Sequence, residues 1–299
     1  MTLRILIKRN IKLFFKDKGM FFTALITPMI LLVLYATFLG NVYRDSFETV
    51  LDAAGLTAEE SLLNGLVGGQ LLSSLLAVCC VTVAFCANML MVQDKVTGAR
   101  RDLTITPVKH STLALGYYLA TTVTTLLIAL LATGAGLAYI AAIGWYLSVA
   151  DVLYLLLDVF LLVMFGVALS SLVNHFLSTQ GQISAVGSIV SSVYGFICGA
   201  YMPISQFSEG LQKTLGFLPG TYATSLLRNH ALNGVFAEME AQSFPAAVID
   251  GMRDTVDCNL YFFDEKVAIP TMYLVLGITV VLLIGAYVLV NKLTGKRVK

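Results

Sequence analysis

Two stretches of this sequence put charged side chains where they can act. The first is a single carboxyl: Asp158 lies about 15 Å along a helix from Ser148, at a rise of about 1.5 Å per residue, so it falls near the middle of an apolar run. A carboxyl at that depth suits an ion or proton site. No second acid, Lys, Arg or His accompanies it in any predicted span, so the expectation is a structural Asp, protonated or paired with the hydroxyls of Thr121, Thr122, Thr124 and Thr125. The second is the charged island from Asp94 to His110, which carries Lys95, Arg100, Arg101, Asp102 and Lys109 between two long apolar runs. Its chemistry is mechanical. The stretch Thr97 to Ile105 is predicted as a short helix, stopped because Pro107 pushes Thr106 away from helical angles. A short helix held between two membrane helices is a lever on which a soluble partner can push.

Conventional catalytic chemistry is not expected. His110, His175 and His230 fall on different loops or sides, so no His-based triad or metal cluster can be assembled. Cys79, Cys80 and Cys86 sit in the second apolar run, Cys198 near the end of the fifth and Cys258 outside. None has ligand spacing, and they read as small apolar side chains. The phosphate-loop pattern G-x-x-x-x-G-K-[ST] does not occur, so no nucleotide site of that kind is expected. Basic residues lack the aromatic interleaving of a nucleic-acid surface. Neither enzyme activity nor a cofactor of the chain's own is expected.

The elements that position the island follow from composition. The chain is 58% hydrophobic and 12% charged, with a mean hydropathy of +0.83, whereas soluble domains are about 25% charged. The expected fold is an all-α integral membrane protein with six transmembrane helices, at about 19–43, 62–92, 111–143, 148–173, 180–202 and 268–291. Of 19 Lys and Arg, 14 lie in the N-terminal tail, the island and the C-terminal tail, whereas thirteen acids lie in the segments 44–61 and 204–267. The positive-inside rule then puts both termini and the island in the cytosol of a multi-pass membrane protein. The absence of an Asn-x-Ser/Thr sequon suits a bacterial cell membrane, and no cleavable signal peptide is expected.

Residues 2–17 pattern as an amphipathic helix, with Leu3, Leu6, Ile7, Ile11, Phe14 and Phe15 on one face and Arg4, Lys8, Lys12 and Lys16 on another. It is expected to lie in the interface, as a lipid anchor or as a brace for the lever. Pro28 predicts a kink in the first span, and a short acidic loop is expected from Arg44 to Ser61. Spans two and three, at about thirty residues, are longer than a bilayer needs and so carry the island on their ends. Trp145 and Tyr146 mark the outer interface, with Asp151 beside them. In the fifth span Gly187, Ser191, Gly195 and Gly199 recur at four-residue spacing, a face for close helix packing within one subunit or against a second copy. The apolar pieces Gly210 to Leu218 and Tyr222 to Leu232, separated by Pro219 and Gly220, are too short to span. They are expected as a re-entrant pair closing the outer end of a path, and Gly234 to Lys266 as a small cap.

These features resemble the permease subunits of type-2 ABC exporters, which have the type V exporter fold. The cytosolic stretch of that family reads as an acid, then Gly, a helix with Leu, and Thr-Pro nine residues after the Gly; here Asp94, Gly98, Leu103, Thr106 and Pro107 match. Position three after the Gly, commonly acidic in relatives, is Arg101 here, with Asp102 beside it. The pair Gly199-Ala-Tyr-Met-Pro203 and Leu218-Pro-Gly-Thr-Tyr222 is similar to the family's outer pattern. The resemblance implies a coupling segment formed by Asp94, Thr97, Gly98, Arg100, Arg101, Asp102, Leu103, Thr106 and Pro107. It also implies an outer gate at Met202, Pro203, Phe207, Leu218, Pro219 and Tyr222, beside a path along Gly187, Ser191, Gly195 and Gly199. Its further implications are two copies of a separate ABC ATPase that hold ATP and Mg, and a second permease chain, as a homodimer in preference to a heterodimer. The mostly apolar path candidates suggest a drug, peptide antibiotic or lipid as cargo. The alternatives are an ion-coupled secondary transporter centred on Asp158, or a membrane anchor for an ATPase that transports nothing.

Overall fold

The computed structural model describes residues 2–105, 108–263 and 265–297. The first helix, α1 (Thr2–Lys16), is amphipathic as expected, with Leu6, Asn10 and Phe14 buried at four-residue intervals. Asp17 ends it and starts α2 (Lys18–Leu34), its carboxylate accepting from the Met20 N–H at 3.1 Å. Pro28 sits inside α2 without ending it; the change of helical type falls instead at the π-helical turn Tyr35–Leu39. The helix then continues as α3 (Gly40–Ala53). This corrects the expected acidic loop from Arg44. Tyr43, Phe47 and Leu51 form a buried stripe at helical spacing, which the intervening acids conceal in the sequence.

Helix α4 (Glu60–Val96) is the axis of the bundle and is buried along most of its 37 residues. After the short α5 (Ala99–Ile105) come α6 (His110–Ile143), α7 (Val149–Phe176) and α8 (Gln180–Ile197). Capping boxes start α7, between Ser148 and Asp151, and α8, between Thr179 and Gln182. Beyond α8 a 3₁₀ turn (Ile204–Gln206) leads to α9 (Glu209–Leu215), α10 (Pro219–Ala241) and α11 (Ala246–Thr255). The hairpin β1 (Tyr261–Phe262) and β2 (Glu265–Lys266) and then α12 (Ile269–Arg297) complete the chain.

Among the described residues five helical stretches are long and apolar enough to cross a membrane: Lys18–Ala53, Glu60–Val96, His110–Ile143, Val149–Phe176 and Ile269–Leu293. Helix α8, the expected fifth of six spans, is not among them. It has 18 residues, is interrupted by serines and stops at Ile197 rather than 202, because the backbone turns to φ +77° at Gly199.

The segment before α11 also departs from expectation. Pro219 does not separate two short pieces but occupies the first turn of α10, where its missing N–H costs nothing. Helix α10 then runs 23 residues to Ala241, past the expected start of the cap at Gly234. It packs on α4, α7 and α12. A Cβ on Gly69 of α4 would stand 2.6 Å from Leu232 and 2.8 Å from the Ala231 carbonyl oxygen, so Gly at that position lets the two helices approach. Counting back from this contact at about 1.5 Å per residue brings Gly220 roughly level with the middle of α4. Helix α10 therefore starts deep in the bundle and runs back toward the start of α4. Only α11 and the hairpin form the expected cap.

Candidate functional site

The last turn of α4 is clamped from two sides. Arg9 of α1 donates from Nη1 and Nη2 to the two Asp94 carboxylate oxygens at 2.7 and 3.1 Å, and the Tyr117 hydroxyl of α6 donates to Oδ2 at 2.5 Å. Asp94 is buried, and its hydrogen bond holds the Arg9 guanidinium above its ordinary range. On the other side the Lys95 ammonium donates to the carbonyls of Asn174, His175 and Leu177 at 3.2, 2.7 and 2.8 Å, neutralising the C-terminal end of α7. Three helices, α1, α6 and α7, thus converge on two consecutive residues of α4.

The lever projects from this clamp. Gly98 takes φ +83°, a left-handed conformation that a side chain disfavours, and the chain re-enters helix one residue later as α5. No residue of α5 is buried; Arg101 and Asp102 are exposed, and Arg100 is partly so. Leu103 seats the lever on a small apolar cluster formed by Leu6, Met91, Leu113 and Tyr117. Among the expected coupling residues, Asp94 therefore faces inward to hold the lever, while Thr97, Arg101 and Asp102 face outward. Thr106 and Pro107 lie outside the described residues.

An open groove runs along α2 and α8, floored at the lever end by α4. At the lever end a cavity of ≈ 620 Å³ is lined by Thr23, Met89, Gln93, Ser184 and Gly187, among others. A second cavity of ≈ 500 Å³ continues toward the opposite end between Phe38, Val42, Phe196 and Met202. Both are lined by Thr27, Ile30, Ser191 and Ser192, so they form one track. The four small residues read as one face divide in space. Gly187 and Ser191 line or abut the groove, Gly195 is covered by the Tyr201 ring, and Gly199 lies beyond the end of α8.

The six gate candidates divide too. Met202 and Pro203 line the far end of the groove. The Phe207 N–H closes the 3₁₀ turn by donating to Ile204 at 3.0 Å. Leu218 and Pro219 start α10, and the Tyr222 hydroxyl donates to the Gly216 carbonyl at 2.6 Å, which ties the turn between α9 and α10. Of the six, two thus line the groove and the others close the turns on either side of α9.

Two buried polar clusters on α10 were not foreseen. Asp158 does not meet the threonines of α6. Nδ1 of His230 lies 2.6 Å from its Oδ2, and the Tyr273 hydroxyl donates to Oδ1 at 2.6 Å. The expectation of a carboxyl without an ionisable neighbour is therefore corrected. Two turns away on α7, Asp151 accepts from Asn233 of α10 at 2.8 Å. Arg228, 1% exposed, donates to Asp257 at 3.1 Å and to the Gly199 carbonyl. Asp257 in turn accepts from the backbone N–H groups of Ile204 and Ser205 at 2.5 and 3.1 Å. Among the described residues no group of three or more His, Cys, Asp or Glu is placed to hold a metal ion.

Residues 57–287 match a protein family described as ABC-2 family transporter protein. No curated protein matches the chain. The matched stretch takes in α4, the lever, the groove wall of α8, the whole of α10 and most of α12, and leaves α1 and α2 outside.

Proposed function

From the premise that the chain belongs to the ABC-2 transporter family, we propose that it is the membrane-spanning permease of an ATP-driven exporter. Family membership implies association with an ABC ATPase subunit; in this reading two ATPase copies drive two permease chains. The observation that carries it is the lever. An exposed seven-residue helix hangs on a clamped turn of α4, and α4 itself floors the lever end of the groove through Cys86, Met89 and Gln93. A push on α5 is delivered to a rigid rod with few ways to absorb it.

In this reading α8 is a short sixth span and α10 a re-entrant helix. The lever and both termini face the cytosol of a bacterial cell membrane, as the basic residues favour. The groove of α2, α4 and α8 is the path, completed by the second chain, and Met202 and Pro203 form its outer lip. Its far half is mostly apolar and its lever half mixes Thr and Ser hydroxyls, Gln93 and Gln180 with apolar side chains, which suits a hydrophobic or amphipathic cargo such as a drug, peptide antibiotic or lipid.

The test is purification from the native membrane in mild detergent, with subunit masses and ATP hydrolysis measured. The expected result is two permease chains with two ATPase chains. Leu103→Asp unseats the lever by putting a charge into its apolar cluster and should release the ATPase. A chain that comes alone and moves solute in liposomes without ATP would overturn the reading.

A path variant separates transport from assembly. Gly187 faces Met89, whose Cε would lie 2.6 Å from an added Cβ, so Gly187→Leu should wedge the lever half of the groove. Efflux of a hydrophobic dye from reconstituted vesicles should fall at least about tenfold, a change of about 1.4 kcal/mol, while the ATPase still co-purifies. Unchanged efflux would remove the groove from the path.

A further inference from the structure

The cluster around Asp158 has no part in the lever or the groove, and its make-up is that of a binding site rather than of packing. Asp158 comes from α7, His230 from α10 and Tyr273 from α12. Beyond the two 2.6 Å contacts to the carboxylate, two tyrosine rings stack with the imidazole. Tyr154 stacks at 5.1 Å with an interplanar angle of 19°, and Tyr273 at 6.2 Å with 29°. A carboxylate at Nδ1 can compensate a positive imidazolium, and the negative faces of two aromatic rings accommodate a cation. Asp158 is 1% exposed. Of the other charged groups on these helices, Asp151 of α7 is engaged with Ser148 and Asn233, and Arg228 of α10 with Asp257. From α12 the titratable group facing the pair is Tyr273.

We propose that Asp158, His230 and Tyr273 form a proton-binding site that fixes the re-entrant helix α10 to α7 and α12 in a pH-dependent way. With the proton bound, the carboxylate and imidazole are together neutral and hold the helices at full strength. When the proton leaves for bulk water, Asp158 keeps its hydrogen bonds but carries a buried charge without a counter-charge, a state that burial disfavours. Helix α10 is therefore held at low pH and loosens as pH rises. The site rests on the reading of α10 as a re-entrant element but needs neither ATP nor cargo, so its test can fail while the export reading stands.

The experiment is hydrogen exchange of the peptide spanning 219–241 in the full-length chain in lipid nanodiscs. It is run from about pH 5 to about pH 9, the range in which histidine changes charge, and corrected for the intrinsic pH dependence of exchange. Protection should fall about tenfold over one single-proton step, the ratio that a difference of about one pKa unit between the held and the loosened helix gives. In His230→Gln the profile should be flat. Tyr273→Phe, which leaves the acid and the imidazole in place, should lower protection at every pH and keep the step. A second measurement covers the case in which His230→Gln does not fold. In a His110→Gln, His175→Gln chain the remaining imidazole, observed by nuclear magnetic resonance, must take up its proton over the same pH interval as the step. A flat wild-type profile, a step that survives in His230→Gln, or an imidazole that titrates apart from the step would overturn the proposal.

Discussion

Replacing Asp94 with alanine should leave a chain that still inserts and still binds its ATPase but hydrolyses ATP without moving cargo. The change removes the acceptor of two guanidinium N–H groups and of the Tyr117 hydroxyl. Breaking a buried charge pair from one side costs about 3–5 kcal/mol. Arg9 is 30% exposed on its side chain and can turn to water, so the lower half of that range applies. The loss falls at one place, the joint between α1, α4 and α6, four residues before Gly98. Motion of α5 would then be absorbed by a loosened last turn of α4 instead of being passed up the rod. Asp94→Asn, which keeps an acceptor for Tyr117, should be intermediate, and Tyr117→Phe should cost about 1 kcal/mol. The discriminating variant is the exchange Arg9→Asp with Asp94→Arg. If the clamp acts through its charge pair, the exchange restores part of the coupling that either single change destroys. The measurement is dye efflux per ATP hydrolysed in reconstituted vesicles; equal ratios for wild type and Asp94→Ala would end the argument.

What the sequence conveyed, and what it withheld, follows from the range over which its signals act. The short helix α5 was legible, two residues shorter at its start than expected, because its determinants are local: Gly98 permits the turn, and the charged run excludes burial. The long second and third helices were legible from uninterrupted apolarity, and α1 from its period. The partners were not. Arg9 and Asp94 are 85 residues apart, and His230 and Asp158 are 72 apart. No spacing rule joins residues brought together only by tertiary packing, so Asp94 read as a contact for a partner and Asp158 as an isolated acid. The run from Pro219 to Ala241 failed for another reason. Its buried polar residues, Arg228, Asn229 and His230, break the apolar pattern by which a buried helix is recognised, because their partners lie on α7, α8 and the cap. Pro219, a break signal in the interior of a helix, is a start signal at its first turn.

The same buried residues yield the largest structural effect to be expected anywhere in the chain. Arg228 joins three elements: the Gly199 carbonyl just past α8, Asp257 of the cap and α10 itself. Asp257 in turn holds the N–H groups of Ile204 and Ser205, just past the groove-lining Met202 and Pro203. Arg228→Met keeps the apolar stem but leaves Asp257 as a buried charge with only two backbone donors, at a cost of about 3–5 kcal/mol. Arg228→Lys keeps the charge without the fork that spans Asp257 and Gly199, so it should fall between. Adding Asp257→Asn to Arg228→Met removes the uncompensated charge and should recover part of the thermal stability. If the network fixes the lip of the groove, its loss should also open that lip. A cysteine placed by Met202→Cys should then react faster with a membrane-impermeant thiol reagent in the Arg228→Met background, since the native Cys79, Cys80, Cys86, Cys198 and Cys258 are all buried. An Arg228→Met chain that melts with the wild type and labels no faster at position 202 would reduce Arg228 to a spectator. A chain that is destabilised yet labels at the wild-type rate would keep the network as scaffolding and place the gate elsewhere.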